Sequence, residues 1–385
     1  MSYMRDGMQL TARKNSENKL SGYTPPAPLG QLWGWGYNSY GNIGDSTTGN
    51  KISPVQVGSY ASWVHVASGT MGTFTSAIKN DGTLWTWGDN TYGQLGLGDQ
   101  NTRNSPVQVG SLNNWVSSSC GLYHSAFIKD DGTLWTTGGN FYGELGHTNL
   151  SNKSSPVQVG SLSNWLSVSC GYYSTMAIKK DGTLWGWGGN IYGGLGDGTV
   201  TNRTSPVQIG SLTTWEVVNA GYWSTTAKRS DNTIWSWGYN AYGILGDNTT
   251  TNKSSPIQVG SLTTWKTISS TYVSAAAIKI DGSLWTWGYN AFGELGDNTT
   301  TDKSSPIQVG SDYNWYAVTS GAQTTYAIKT NNTLWSWGNN SYGQLGQNNT
   351  AGTNTRSSPV QIGALTTWLA LSRGGYLYTH AIKSA

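Results

Sequence analysis

An all-β fold built from seven copies of one unit is predicted by three observations. The segment Asp81-Gly-Thr-Leu-Trp-Thr-Trp-Gly88 recurs, lightly edited, seven times, its core at Leu32, Leu84, Leu134, Leu184, Ile234, Leu284 and Leu334. The spacing is 52 residues once and 50 thereafter, a period typical of solenoids and propellers. Each period holds four short stretches of strand character separated by turn residues. Glycine is abundant, at 52 of 385 residues, and charged residues make up only 11%. Four antiparallel strands per period, seven times over, describe a seven-bladed β-propeller, whose radial closure leaves only short, protected sheet edges.

One period shows why each element forms. Pro106–Gly110 alternates and ends in Gly, reading as a short strand whose first residue accepts proline. Trp115–Gly121, Ser125–Lys129 and Thr133–Thr136 follow as strands, with Asp130-Asp131-Gly132 as the hairpin between the last two. The turn glycines Gly82, Gly132, Gly182 and Gly282 are replaced only by Asn232 and Asn332. Gly and Asn share a tolerance for the left-handed region, so a backbone constraint sets this position. Asn90 and its counterparts Asn38, Asn140, Asn190, Asn240, Asn290 and Asn340 hold one place in every copy, where an Asx side chain can bond loop backbone. Trp85 and Trp87, two apart on a strand, share a face and are expected to pack on a neighbouring blade. Of 21 tryptophans, 20 occupy three repeating positions, and the vacancy is Thr137. The array opens and closes in mid-unit. Gln31–Gly36 and Pro54–Val57 are expected to join Trp368–Ser372 and Thr379–Lys383 in one composite blade, an N/C-terminal clasp.

Composition removes several function classes. A net charge of +3 gives no reason to expect nucleic acid, which calls for a concentrated basic face. No stretch approaches the roughly 18 apolar residues of a membrane helix, and residues 1–20 do not read as a secretory signal. Cys120 and Cys170 sit at equivalent positions where other repeats have Ser68, Ala220, Ser270 and Ser320, a small packed site. His65, His124, His147 and His380 lack metal-ligand spacing, and His147 is expected to face solvent. No phosphate-binding loop appears, and the Asp-Asn-Thr-Thr loops carry too few carboxylates for Ca²⁺. No catalytic residue, metal or cofactor is expected.

Two rings of cations are the candidate binding residues. Lys79, Lys129, Lys179, Arg229, Lys279, Lys329 and Lys383 form one; Lys51, Arg103, Lys153, Arg203, Lys253, Lys303 and Arg356 form the other. They serve either local charge balance, beside Asp81 and Asp45 and their counterparts, or recognition of anionic glycans or an acidic neighbour. Lys228 stands where other repeats have Ile, and is expected to snorkel out or mark a local site.

The pattern Ser-Pro-Val-Gln-Val-Gly, Trp-x-x-Val-Ser-x-Gly, Ala-Ile-Lys-x-Asp-Gly-Thr-Leu-Trp-x-Trp-Gly-x-Asn-x-Tyr-Gly-x-Leu-Gly resembles the regulator of chromosome condensation repeat over residues 29–385. The resemblance implies a seven-bladed propeller with a clasp. The founding member is a nucleotide-exchange factor for a small GTPase, works through a projecting β-wedge and also binds chromatin. Here the repeats carry only two extra residues near Gly69–Phe74 and three near Ala351–Thr355, which argues against exchange. The regular, Asn/Thr-rich version is similar to copies from bacterial surface proteins and bacteriophages.

Residues 1–28 stand apart as an extended N-terminal docking arm or linker, with Arg5, Arg13, Lys14 and Lys19 and a stiff Pro25-Pro-Ala-Pro28 joint. The expected function is a non-enzymatic structural or adhesive propeller of a bacteriophage virion. It would be made in the host cytoplasm, anchored to other virion or assembly proteins by the arm, and would touch a host-surface glycan or protein. A bacterial surface or secreted binding module, or a GTPase regulator, are the alternatives.

Overall fold

A computed structural model describes residues 30–348, 355–373 and 375–385. The docking arm, including Arg5, Arg13, Lys14 and Lys19, and the insertion at 351–354 lie outside the described residues. Among the described residues there is no helix, and twenty-eight strands form seven antiparallel blades.

Blade 3 is representative. Its strands, labelled A to D from the inside outward, are β11 (Trp165–Cys170), β12 (Ser174–Lys179), β13 (Leu184–Gly188) and β14 (Arg203–Gln208), paired in that order. Strand A is innermost because the A strands of adjacent blades touch one another. The D strand starts earlier than its sequence pattern suggests and belongs with the three strands before it. Its Pro206 falls in the register shift between Gly186↔Val207 and Gly188↔Arg203, at the outer edge where a missing N–H costs little.

Strands A and C run toward one face, B and D back toward the other. The A–B turns and C–D loops therefore share an upper face, and the B–C turns and D–A connections share a lower one. Gly82, in a B–C turn, has φ +80°, and a Cβ there would strike the Asn113 carbonyl. Asn232 and Asn332 sit at φ +60°, as their substitution for Gly requires. In the C–D loops the seven repeated asparagines each accept the N–H five residues ahead, for example Asn90 Oδ1 from Leu95 at 2.9 Å.

The core lies between blades. Ile178, Leu184 and Leu195 of blade 3 pack with Trp215, Ala227 and Trp237 of blade 4. Trp87 is fully buried and its indole donates to Asn42 O of the preceding blade at 2.9 Å. Trp85 and its counterparts are only half-buried. At the Trp vacancy, Thr137 Oγ1 donates to Lys153 O at 2.7 Å. Phe127 stands there in place of the usual Ala, and its ring lies 5.7 Å from Trp115. It fills the volume the missing indole leaves.

The closing blade is composite. β1 (Gly30–Gly36) pairs with β28 (Tyr378–Ser384) over seven residues, from Gly30↔Ser384 to Gly36↔Tyr378. β2 (Lys51–Gln56) and β27 (Trp368–Leu371) flank them. Gly30 and Ser384 lie on the lower face, so the described chain enters and leaves the propeller there.

Candidate functional site

On the lower face six of the seven blades build the same device from the Asp-Gly-Thr-Leu-Trp signature, with Ser283 and Asn331 as variants, while in the closing blade the Trp33 indole has no such partner. Asp81 Oδ1 accepts from the Thr83 N–H at 3.0 Å and hydroxyl at 2.6 Å, while Thr83 Oγ1 accepts from the Trp85 indole at 2.9 Å. The first cationic ring closes over these tryptophans. Lys79 Nζ lies 3.8 Å from the Trp85 ring centre and 3.7 Å from Tyr60. The distances are 3.9 Å for Lys129, 3.5 Å for Lys179, 3.4 Å for Lys279 and 4.1 Å for Lys329, each over its own tryptophan. Arg229 over Trp235 (5.4 Å) and Lys383 over Trp33 (5.0 Å) are looser. Burial draws the Lys79, Lys179 and Lys279 ammonium groups below the usual lysine range, against the pull of Asp81, Asp181 and Asp281.

The second ring heads the D strands at the outer rim of the upper face. Lys51–Asp45 (2.8 Å), Arg203–Asp197 (2.6 Å), Lys303–Asp297 (3.5 Å) and Lys253–Asp247 (3.8 Å) are ion pairs. Leu97 replaces that Asp in blade 1, and Asp99 two residues on pairs with Arg103 at 2.6 Å. Beside Lys153 the Asp is replaced by His147. That imidazole is half-buried rather than solvent-facing, bonded to Thr136 Oγ1 at 3.0 Å, and burial lowers its pKa. Lys228 reaches an exposed carboxylate, Glu216, at 2.8 Å. Arg356 is half-buried at the head of its D strand, Arg356–Gln361.

The remaining candidates are buried. His124 and His380 are enclosed, and desolvation pushes them down to about 3 and about 4, so both are neutral structural groups. Both cysteines are free and buried, with thiols pushed up to about 12, far from a reactive thiolate. In the closing blade Arg373 occupies the small-residue position and reaches across the ring axis to Ser169 and to Ala220 O (2.7 Å). Among the described residues no cluster of metal-ligating side chains occurs.

What sequence reasoning missed lies on the upper face. An unbroken chain of ring contacts runs over blades 1 to 5. It goes from Tyr92 to Tyr123 (4.7 Å), Tyr173 (6.3 Å), Trp223 (5.7 Å) and Tyr192 (5.8 Å). It continues through Tyr239 (5.1 Å) and Tyr242 (6.3 Å) to Tyr289 (4.9 Å) and Phe292 (6.4 Å). An inner row, Tyr172–Tyr222–Tyr272, follows the A–B turns at 4.4 and 4.9 Å. Phe141 lies against Tyr92 (5.0 Å), Tyr123 (6.0 Å) and Tyr173 (6.0 Å), and the rings are half-buried, with Phe141 and Tyr242 exposed. Burial and neighbouring phenols raise the Tyr172 and Tyr173 pKa values, so both hydroxyls stay protonated. Trp223, near the middle, is the single tryptophan outside the three repeating positions, and that was the signal in the sequence.

Two carboxylates brace the loops under this arc. Glu144 accepts the N–H groups of Phe141 (3.0 Å) and Tyr142 (2.7 Å), and Glu294 that of Phe292 (2.9 Å). Burial raises both to about 7, although those backbone bonds pull the other way.

With this geometry in hand, comparison places the chain. The family described as regulator of chromosome condensation (RCC1) repeat matches residues 30–75, 81–128, 131–178, 181–227, 231–277, 281–328 and 331–377. The chain belongs to the RCC1 repeat family. Its sequence relatives include human E3 ubiquitin-protein ligase HERC2, 32% identical over 96 residues, covering 24% of this chain and 2% of that protein. The Arabidopsis thaliana ultraviolet-B receptor UVR8 is 35% identical over 86 residues, covering 22% of this chain and 19% of the receptor. The chain thus matches only a small part of those proteins. Among solved structures, Prp20p of Saccharomyces cerevisiae superposes with a TM-score of 0.83 at 18% identity, over 93% of this chain and 92% of that one. Human WBSCR16 gives 0.80 at 18% identity, over 92% and 99%. These likenesses establish the RCC1-type seven-bladed propeller with its clasp. The Prp20p structure was described together with that protein's binding to Gsp1p and histones.

Proposed function

We propose that this RCC1-type propeller is a non-enzymatic adhesive module, carried on a bacteriophage particle through residues 1–28, that meets its target with the upper face. One observation carries the reading: the aromatic arc, which holds the one non-repeating tryptophan, Trp223, lies opposite the face where the described chain enters at Gly30. A tether attached there turns the arc outward. Low charge and a closed β-ring suit a part that works outside a cell. By the strand bounds the connections keep one set of lengths apart from those at 69–73, 339–355 and 372–377, each longer by at most three residues, which argues against an exchange wedge.

The test is mass spectrometry of purified particles, followed by adsorption assays with particles carrying Trp223→Ala. Presence in particles together with weakened adsorption is the expected result. Absence from every particle preparation removes the virion placement, and accelerated nucleotide release from a small GTPase would replace the adhesive reading with a regulatory one.

A further inference from the structure

The class of ligand follows from what the arc contains and what it lacks. In blades 1 to 5 neither the A–B turns nor the C–D loops contain a Lys or Arg. Of the carboxylates there that lie near the rings, Asp89, Glu144 and Glu294 are buried and bonded inward, while Asp302, beside Tyr289, is exposed and accepts the Asn290 N–H. Inside the rim of ion-paired cations and loop carboxylates, the surface offers aromatic faces, phenol hydroxyls and neutral Asn, Ser and Thr neighbours. Protein interfaces are enriched in Arg and Met alongside aromatics, whereas these turns and loops carry no Arg and a single Met, Met71. An aromatic ring joins an apolar face to a polar rim, and such rings follow one another here at 4.7 to 6.4 Å across five blades. That repetition suits an elongated ligand of repeating units, each with a C–H face bordered by hydroxyls.

We infer that the upper-face arc is an extended binding platform for a neutral polysaccharide, with pyranose rings laid on Tyr173, Trp223 and Tyr192 and their hydroxyls bonded by tyrosine O–H groups. This rests on the adhesive reading above and deepens it. It moves recognition away from the cationic rings, where Lys79 and its counterparts are held over tryptophans and most of the outer ring is ion-paired.

The experiment uses the full chain and a panel of dextran, mannan, galactan and chitin oligomers, with heparin as the anionic member. Binding is read by tryptophan fluorescence and calorimetry at low and high salt. The expected result is binding to at least one neutral member, unchanged by salt, and weakened more than tenfold by Trp223→Ala and by Phe141→Ala. Melting curves of both variants check folding, and Leu162→Ala on the lower face should leave binding unchanged. Binding to heparin alone, binding abolished by salt, or binding that survives both upper-face substitutions would overturn the inference, as would no binding to any neutral member. Should the neutral panel fail while Trp223→Ala still weakens particle adsorption, the glycan class falls and the adhesive face stands. If adsorption is also unchanged, both fall.

Discussion

Three residues show how single positions depart from the repeat without breaking it. Phe127 and Thr137 exchange volume across one sheet face: a large ring replaces Ala and a hydroxyl replaces Trp. Phe127→Ala should cost about 3–5 kcal/mol by leaving a cavity, and Thr137→Trp about 1–3 kcal/mol by overpacking. The double substitution restores the consensus pair and should recover most of the loss, as a double-mutant cycle in denaturant would show. Glu144 and Glu294 give a pH dependence with a definite sign. Their folded pKa values of about 7 exceed the ordinary 4.5, so their stabilisation is complete below about 4.5 and is lost as pH rises through 7. Glutamine already fills this position as Gln94 and Gln344, where each accepts a loop N–H. Glu144→Gln with Glu294→Gln should therefore raise Tm at pH 8 and flatten its fall between pH 5 and 8, by on the order of 1–3 kcal/mol per site.

At the scale of elements, the hairpin turn was legible because its constraint is local. The substitution of Asn for Gly, and of nothing else, already required a positive φ, and Gly82 and Asn232 have it. Gly82→Ala should destabilise by about 1–2 kcal/mol, whereas Asn232→Gly should change stability by less than about 0.5 kcal/mol, both measurable by chemical denaturation. The cationic rings were legible as positions and not as contacts. Nothing local shows that Lys79 closes on Trp85 while Arg103 recruits Asp99, because each partner depends on how the strands and loops fold together. The arc was least legible: Tyr92, Tyr192, Tyr242 and Phe292 hold a repeated loop position, but Tyr123, Tyr173 and Trp223 sit in A–B turns whose residues vary, and only folding joins the two sets. Tyr172, Tyr222 and Tyr272 become neighbours only when successive blades place their A–B turns side by side.

On the scale of the molecule, the clasp decides whether there is a ring at all. Removing residues 374–385 takes away β28, the only strand paired with β27 among the described residues and the one paired along the whole of β1. Such a truncation should lose cooperative melting and expose the bared edges of β1 and β27 to aggregation. A soluble truncated protein with a single sharp transition in calorimetry would show that the ring closes without it. The same pairing also fixes how the molecule carries load. A pull on both termini would part Gly30 from Ser384 and open the pairing one residue at a time, like a zipper. A pull between residue 30 and a ligand on the far face runs along β1 instead. It strains the seven residue pairs with β28 together in shear, which demands far more force. Held through β1 and loaded from the opposite face, the propeller would resist force best along that axis.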